Sequence, residues 1–255
     1  MPLLTLLGIA LAMAPCRIEH PSRTVSWPAE CGSLRVPENP AQPQGRQVEL
    51  FVARVPAISR RKQADPLFLL AGGPGMGASS MYSGVAPAFA RIGRDRDIVL
   101  VDQRGTGRSQ ALTCDMADLD ANEDDASRIG PLTRACLESL QRKADVRQYT
   151  TSIAVQDLDR VRAALGYERI NLYGASYGTR VAQHYLRRYP QRVRSLILDG
   201  VVAPTTILGP EMALDAESSL NQVLTRCAAD TACRSHFPDP AADYRQLRAQ
   251  LTKSP

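Results

Sequence analysis

The run Asn171-Leu172-Tyr173-Gly174-Ala175-Ser176-Tyr177-Gly178-Thr179 sets a serine between two glycines at a spacing that suits a nucleophile. Gly-x-Ser-x-Gly, entered from an apolar strand and left by an amphipathic helix, forces a turn so tight that its flanking positions must be nearly free of side chain. Gly174 and Gly178 occupy those positions, and Ser176 is thrust out at the end of the strand. The backbone N–H of Tyr177, at the start of the helix, then points to where negative charge would collect on an attacked carbonyl oxygen. The chemistry this suits is acyl transfer through a serine ester. A bare Gly-x-Ser-x-Gly recurs by chance, and its weight here comes from the strand before it and the helix after it.

Two further loops sit where such a serine would need support. Residues 66–70 are an uninterrupted apolar run, as expected of a parallel strand covered on both faces. The run empties into Ala71-Gly72-Gly73-Pro74-Gly75-Met76-Gly77, whose glycines permit close backbone approach to a substrate. A phosphate-binding turn is the competing reading, but no Gly-Lys-Ser/Thr follows. Residues 97–101 form the next buried strand and end in Asp102-Gln103-Arg104-Gly105-Thr106-Gly107-Arg108-Ser109. Asp102 and Arg104 are expected to pair with each other and hold that loop beneath the site.

Together these motifs resemble the α/β-hydrolase superfamily, and within it the proline iminopeptidase and tripeptidyl-aminopeptidase-like serine peptidases. Gly72-Gly73-Pro74-Gly75, Asp102-x-Arg104-Gly105-x-Gly107-x-Ser109 and Gly174-Ala175-Ser176-Tyr177-Gly178-Thr179 carry the resemblance. Tyr149-Thr150-Thr151, Asp157-Leu158-Asp159, Leu165-Gly166 and Leu198-Asp199-Gly200 agree with that branch, so the similarity runs from Trp27 to the end of the chain. The resemblance implies an α/β-hydrolase fold, a mostly parallel sheet with helices on both faces, incomplete at its C-terminus and followed by the start of a helical cap. It implies an acyl-enzyme on Ser176, with Gly73 giving the second oxyanion N–H beside Tyr177, and no cofactor or metal. The substrate would be a peptide or small acyl compound. An exopeptidase also needs carboxylates for the substrate's free amine, and the cap offers Glu211, Asp215 and Glu217. Ester hydrolysis stays open, because the superfamily includes esterases.

The expected triad order, serine then acid then histidine, meets a difficulty. The chain has 3 histidines. His184 lies eight residues after Ser176 on the expected helix, about 12 Å further along at the helical rise, beyond hydrogen-bond reach. His20 precedes every core strand, and His236 falls at the start of the expected cap. Asp199 is the best acid available, although the resembled branch carries its acid one strand later. The simplest expectation is that the chain stops before the catalytic Asp and His. Taken alone it would then be inactive, with the strand over 193–198 left as an open edge. A catalytically inactive fragment or binding module is the reading of another class.

Residues 3–12 are apolar but too few to span a bilayer, and they suit a signal-peptide core with Ala10-Leu11-Ala12 as the cleavage pattern. The expected organisation is a signal peptide over 1–12, the core over 13–203 and the cap from 204 to 255. All 6 cysteines follow the cleavage point, an even count that suits disulfides and export to a secreted or periplasmic location. Local pairing would join Cys16 to Cys31, Cys114 to Cys136 and Cys227 to Cys233, with other connectivities open.

The elements that position these groups follow from periodicity. Residues 48–55 alternate as an antiparallel strand; 132–144 and 151–165 read as helices, the second with Ala154, Leu158, Val161 and Leu165 on one face. From residue 204 the strand–helix alternation stops, and 212–227 become helical. The formal charge of +5 is spread over helices with 5% aromatic residues, which disfavours nucleic-acid binding. The acidic cluster between Asp115 and Asp125 lacks the spacing of a calcium loop and reads as solvated surface. Oligomeric state is not legible.

Overall fold

Four strands that run parallel place their C-terminal ends along one edge of a mixed sheet, and every motif above leaves the sheet at that edge. The computed structural model describes residues 11–114, 126–207 and 209–253. The sheet contains β1 (Ala14–Glu19), β2 (Ser26–Pro37), β3 (Gln47–Val55), β4 (Leu67–Leu70), β5 (Ile98–Val101), β6 (Ile170–Ala175) and β7 (Val193–Asp199), in the order β1-β2-β3-β5-β4-β6-β7. β1, β2, β3 and β5 pair antiparallel in succession, whereas β5, β4, β6 and β7 are parallel. Leu-Phe-Leu-Leu in β4 and Ile-Val-Leu-Val in β5 are buried at every position because layers cover both faces.

One face packs on α3 (Thr151–Ala164) and α4 (Tyr177–Arg188) through Val155, Leu158, Val161, Val181, Ala182 and Tyr185. The other packs on α1 (Ala78–Val85) and the short turn after it, through Ala78, Tyr82, Ala86 and Phe89. Each fully buried large side chain contributes roughly 1.5–3 kcal/mol, so these two layers hold the strand ends still. α2 (Ala126–Gln141) begins before Pro131 and runs through it. The expected range was 132–144, so the helix starts earlier and ends sooner than expected, and it carries Pro131 inside although a proline ring and its missing N–H disfavour a helix interior. β1 and β2 escaped the sequence reading: Pro28 and Gly32 interrupt the alternation of β2, and pairing of β2 to β3 and of β1 to β2 supplies what propensity does not.

The chain divides into two compact units, Met1–Pro204 and Thr205–Pro255. The second holds α5 (Pro210–Ala229), α6 (Thr231–His236) and α7 (Pro240–Lys253). Residues 1–10 of the expected signal segment and the acidic cluster fall outside the described residues. Leu11 lies within them and donates its N–H to Ala164 O at 3.2 Å. Among the described residues no helix is long and apolar enough to cross a membrane. The cysteines pair as Cys16–Cys31, Cys114–Cys136 and Cys227–Cys233. Three disulfides are consistent with an extracellular or periplasmic protein, and each typically contributes about 2–4 kcal/mol.

The opposite end of the sheet, where β5 begins, is held by charge. Asp97, 2% exposed, accepts from Lys62 Nζ at 2.6 Å, Ala57 N–H at 2.9 Å and Tyr167 Oη at 2.9 Å. Burial alone would raise its pKa, but these donors outweigh it and hold the carboxyl below its ordinary value. A depressed folded-state pKa means stability that is present above the unfolded pKa, about 4, and lost as pH falls through the folded value. Asp97→Asn is therefore expected to melt at a less pH-dependent temperature than the parent as pH falls below about 4. Superimposable acid limbs from scanning calorimetry would refute this.

Candidate active site

Ser176 closes β6 and caps α4, with φ 52° and ψ −121°. Few L-residues adopt such a backbone, and holding it costs of order 1–3 kcal/mol. The turn fits because Gly174 and Gly178, two residues to either side, carry no side chain. A Cβ on Gly174 would stand 2.4 Å from Gly178 O, and one on Gly178 only 2.1 Å from Leu70 O. Strand and helix therefore close on each other with no room for any side chain. The Ser176 N–H donates to Asp199 O at 2.8 Å, tying the turn to the end of β7.

The loop after β4 runs directly past this serine. A Cβ on Gly72 would lie 3.2 Å from Ser176 Cβ and 3.7 Å from Ser176 Oγ. Gly73 follows with φ 106°, and Gly75, beyond Pro74, has φ 116°. Tyr177 is the first residue of α4, so its N–H has no acceptor within the helix. Its ring is buried, and its hydroxyl lies 2.6 Å from Thr151 Oγ1 on α3. A small pocket behind the loop is lined by Leu70, Gly72, Gly75, Met76 and Tyr177, with Arg104 and Asp157 also in its wall. The arrangement offers a hydroxyl on a strained turn, an unpaired helix-N-terminal N–H and a glycine loop beside both. Such a set can hold a carbonyl and stabilise its oxyanion.

Asp102 and Arg104 were expected to pair with each other, and they do not. The Asp102 carboxylate, wholly buried, accepts the Ser79 N–H at 2.8 Å, Ser79 Oγ at 2.9 Å and the Arg108 N–H at 2.9 Å. It thereby ties the first turn of α1 to the loop after β5. Arg104 turns the other way and forms a two-pronged ion pair with Asp157 of α3, at 2.6 and 2.9 Å. It also donates to Glu38 O, Gln148 O and Pro37 O. Burial pushes the Asp157 carboxyl up, and Arg104 only partly pulls it back. The sequence held a signal for this partnership: Asp157 is an acid between Ala154 and Leu158 on the apolar face of its helix.

Asp199, the best acid the sequence offered, ends β7 beside β6. Its carboxylate accepts a short hydrogen bond from the Tyr173 hydroxyl, which that bond, helped by burial, pushes up to about 12. His184 lies on α4 in a surface depression with Ser152, Val155, Arg187 and Arg188. His20 follows β1, five strand spacings or about 24 Å across the sheet from β6, and its Nδ1 lies 2.7 Å from Ser22 Oγ. His236 ends α6 in the second unit. Glu211 and Asp215 stand on α5 of that unit, where Glu211 Oε2 accepts the Ile207 N–H at 2.9 Å.

Several curated hydrolases are similar to this chain. The chain is 30% identical over 249 residues to "Serine protease Hip1" of Mycobacterium tuberculosis, covering 89% of this chain and 47% of that one. It is 29% identical over 194 residues to "Tripeptidyl aminopeptidase" of Streptomyces lividans, covering 70% and 36%. It is also 35% identical over 225 residues to "Carboxylesterase B" of Mycobacterium tuberculosis, covering 80% and 43%. The chain thus spans about half the length of the curated relatives it matches, or less. A family model described as alpha/beta hydrolase fold matches residues 65–251, the stretch that contains the glycine loop, the strained serine and the parallel strands between them. The chain therefore belongs to the alpha/beta hydrolase fold family.

Proposed function

We propose that these residues form the nucleophile-bearing part of an exported serine hydrolase that cleaves peptide bonds from the amino end of its substrates. The observation that carries the reading is Ser176, held at positive φ at the end of β6 with the Gly72 backbone against its side chain. Ser176 Oγ attacks the substrate carbonyl carbon, and its proton passes to a base. The N–H groups of Tyr177 and Gly73 hold the resulting oxyanion. Collapse breaks the C–N bond, the amine leaves with the proton, and water then releases the acyl group from Ser176. His184, about 12 Å further along α4 by the helical rise, and His20, about 24 Å across the sheet, do not serve as that base, and no base or orienting acid is assigned among the described residues. No cofactor enters this chemistry.

Two relatives with peptidase names support the peptide reading. Glu211 and Asp215 are the candidate ligands for the substrate's free amine, and residues 1–12 the candidate export signal. Carboxylic-ester hydrolysis is the second reading, favoured by the 35% identical relative named as a carboxylesterase. A non-catalytic binding role is the third. The full-length protein is expected to hydrolyse tripeptidyl and aminoacyl nitroanilides in preference to blocked ones, and to lose that preference on Asp215→Asn. Turnover of p-nitrophenyl esters alone would replace the peptidase reading with the esterase one. No turnover of either class would favour the binding role.

A further inference from the structure

We propose that Thr179 is a positioning residue that aims the oxyanion-hole N–H of Tyr177, acting through the Ser176 carbonyl; the inference rests on Ser176 being the nucleophile. Thr179 is wholly buried on the first turn of α4. Its Oγ1 donates to Ser176 O at 2.6 Å and accepts the Val202 N–H at 2.8 Å. Its own N–H donates to the same Ser176 oxygen at 2.9 Å.

A helical threonine often bonds back to the carbonyl one turn earlier, which by itself would be local helix chemistry. Two features set this one apart. The hydroxyl also takes a donor from outside the helix, and the Gln183 amide closes the same link by donating to both Thr179 O and Val202 O at 3.1 Å. The end of β7 and the segment after it therefore hold Ser176 on both sides. On the amino side Asp199 O takes the Ser176 N–H directly; on the carboxyl side Val202 reaches the Ser176 carbonyl through one hydroxyl.

The consequence follows from peptide geometry. The Ser176 C=O and the Tyr177 N–H belong to one planar trans unit and point in opposite directions. Fixing the oxygen fixes the direction of the N–H. Ser176 sits at φ 52° and ψ −121°, so a released unit has a downhill path toward more common dihedrals. Rotation about ψ would swing the Tyr177 N–H away from the position where an oxyanion forms. Thr179 contacts no substrate in this scheme; it keeps a donor aimed.

The test compares Thr179→Val, which keeps shape and removes the hydroxyl, with Thr179→Ser, which restores it. Thr179→Ala serves should the valine variant not fold, as judged by circular dichroism. Two readouts are taken on the full-length protein: amide hydrogen exchange at Ser176 and Val202, and the rate constant for labelling Ser176 by a fluorophosphonate. The valine variant is expected to lose protection at both amides and to label about tenfold more slowly or worse. Its KM for a p-nitrophenyl ester should stay near that of the parent while kcat falls. Thr179→Ser should recover both readouts. Loss of protection at Val202 alone, with Ser176 exchange and labelling unchanged, would overturn the proposal, as would a serine variant no better than valine. If the parent protein takes no label, the nucleophile reading fails separately, and the Ser176 amide still decides whether Thr179 positions that turn.

Discussion

Replacing Ser176 by alanine is expected to lower kcat of the active protein about 10⁶-fold while leaving its melting temperature close to that of the parent. The two halves of that expectation have different origins. The rate falls because the acyl-enzyme route has no substitute once its oxygen is gone. Binding and the oxyanion donors alone leave about 10³–10⁴ over water. The fold is spared because alanine carries the same Cβ into the same strained backbone. That backbone is fixed by the Gly174–Gly178 approach and by the Asp199 link rather than by the hydroxyl. Steady-state kinetics on an ester substrate and a thermal melt decide the matter. Retention of more than about one per cent of the parent kcat would remove Ser176 from the mechanism.

Asp157→Ala is expected to be the most damaging single change to stability among the buried polar groups described above, at about 3–5 kcal/mol. Arg104 has 0% and Asp157 3% of its side chain exposed. Removing the acid leaves a guanidinium in the core with no counter-charge bonded to it, held by three carbonyls and the face of the Tyr149 ring. The pair is not a large net source of stability, since burial still pushes the Asp157 carboxyl up against the pull of Arg104. The damage comes from breaking it. A double replacement, Arg104→Met with Asp157→Leu, should therefore melt above the single variant. It should not reach the parent, because Pro37 O, Glu38 O and Gln148 O also lose their donor. A fall of order 10 °C is expected for the single change. A melt within about 2 °C of the parent would show that the core hydrates or neutralises Arg104 without cost.

These two residues show where sequence reasoning reaches and where it stops. Ser176 was legible because every constraint on it lies within nine residues: a strand, two glycines whose missing Cβ atoms permit the approach, and a helix start. The same held for β4 and β5, whose unbroken apolar runs could only suit strands covered on both faces. β1 and β2 were not legible: Pro28 and Gly32 break the period of β2, which is held by pairing to β3, and β1 is held in turn by pairing to β2.

What the chain determined by itself was the class of the sheet, the turn that presents Ser176, the glycine loop beside it and, through an even cysteine count, the scope for three disulfides. Local sterics decide all of these, and local sterics are written in adjacent residues. Only the tertiary structure decided which partners the buried charges take. Asp102 and Arg104 are two residues apart, yet one finds Ser79 across 23 positions and the other Asp157 across 53. Once the loop after β5 leaves the sheet, α1 and α3 pack on opposite faces of it. A buried charge takes whichever partner can reach it with good geometry, and that choice depends on how distant segments pack.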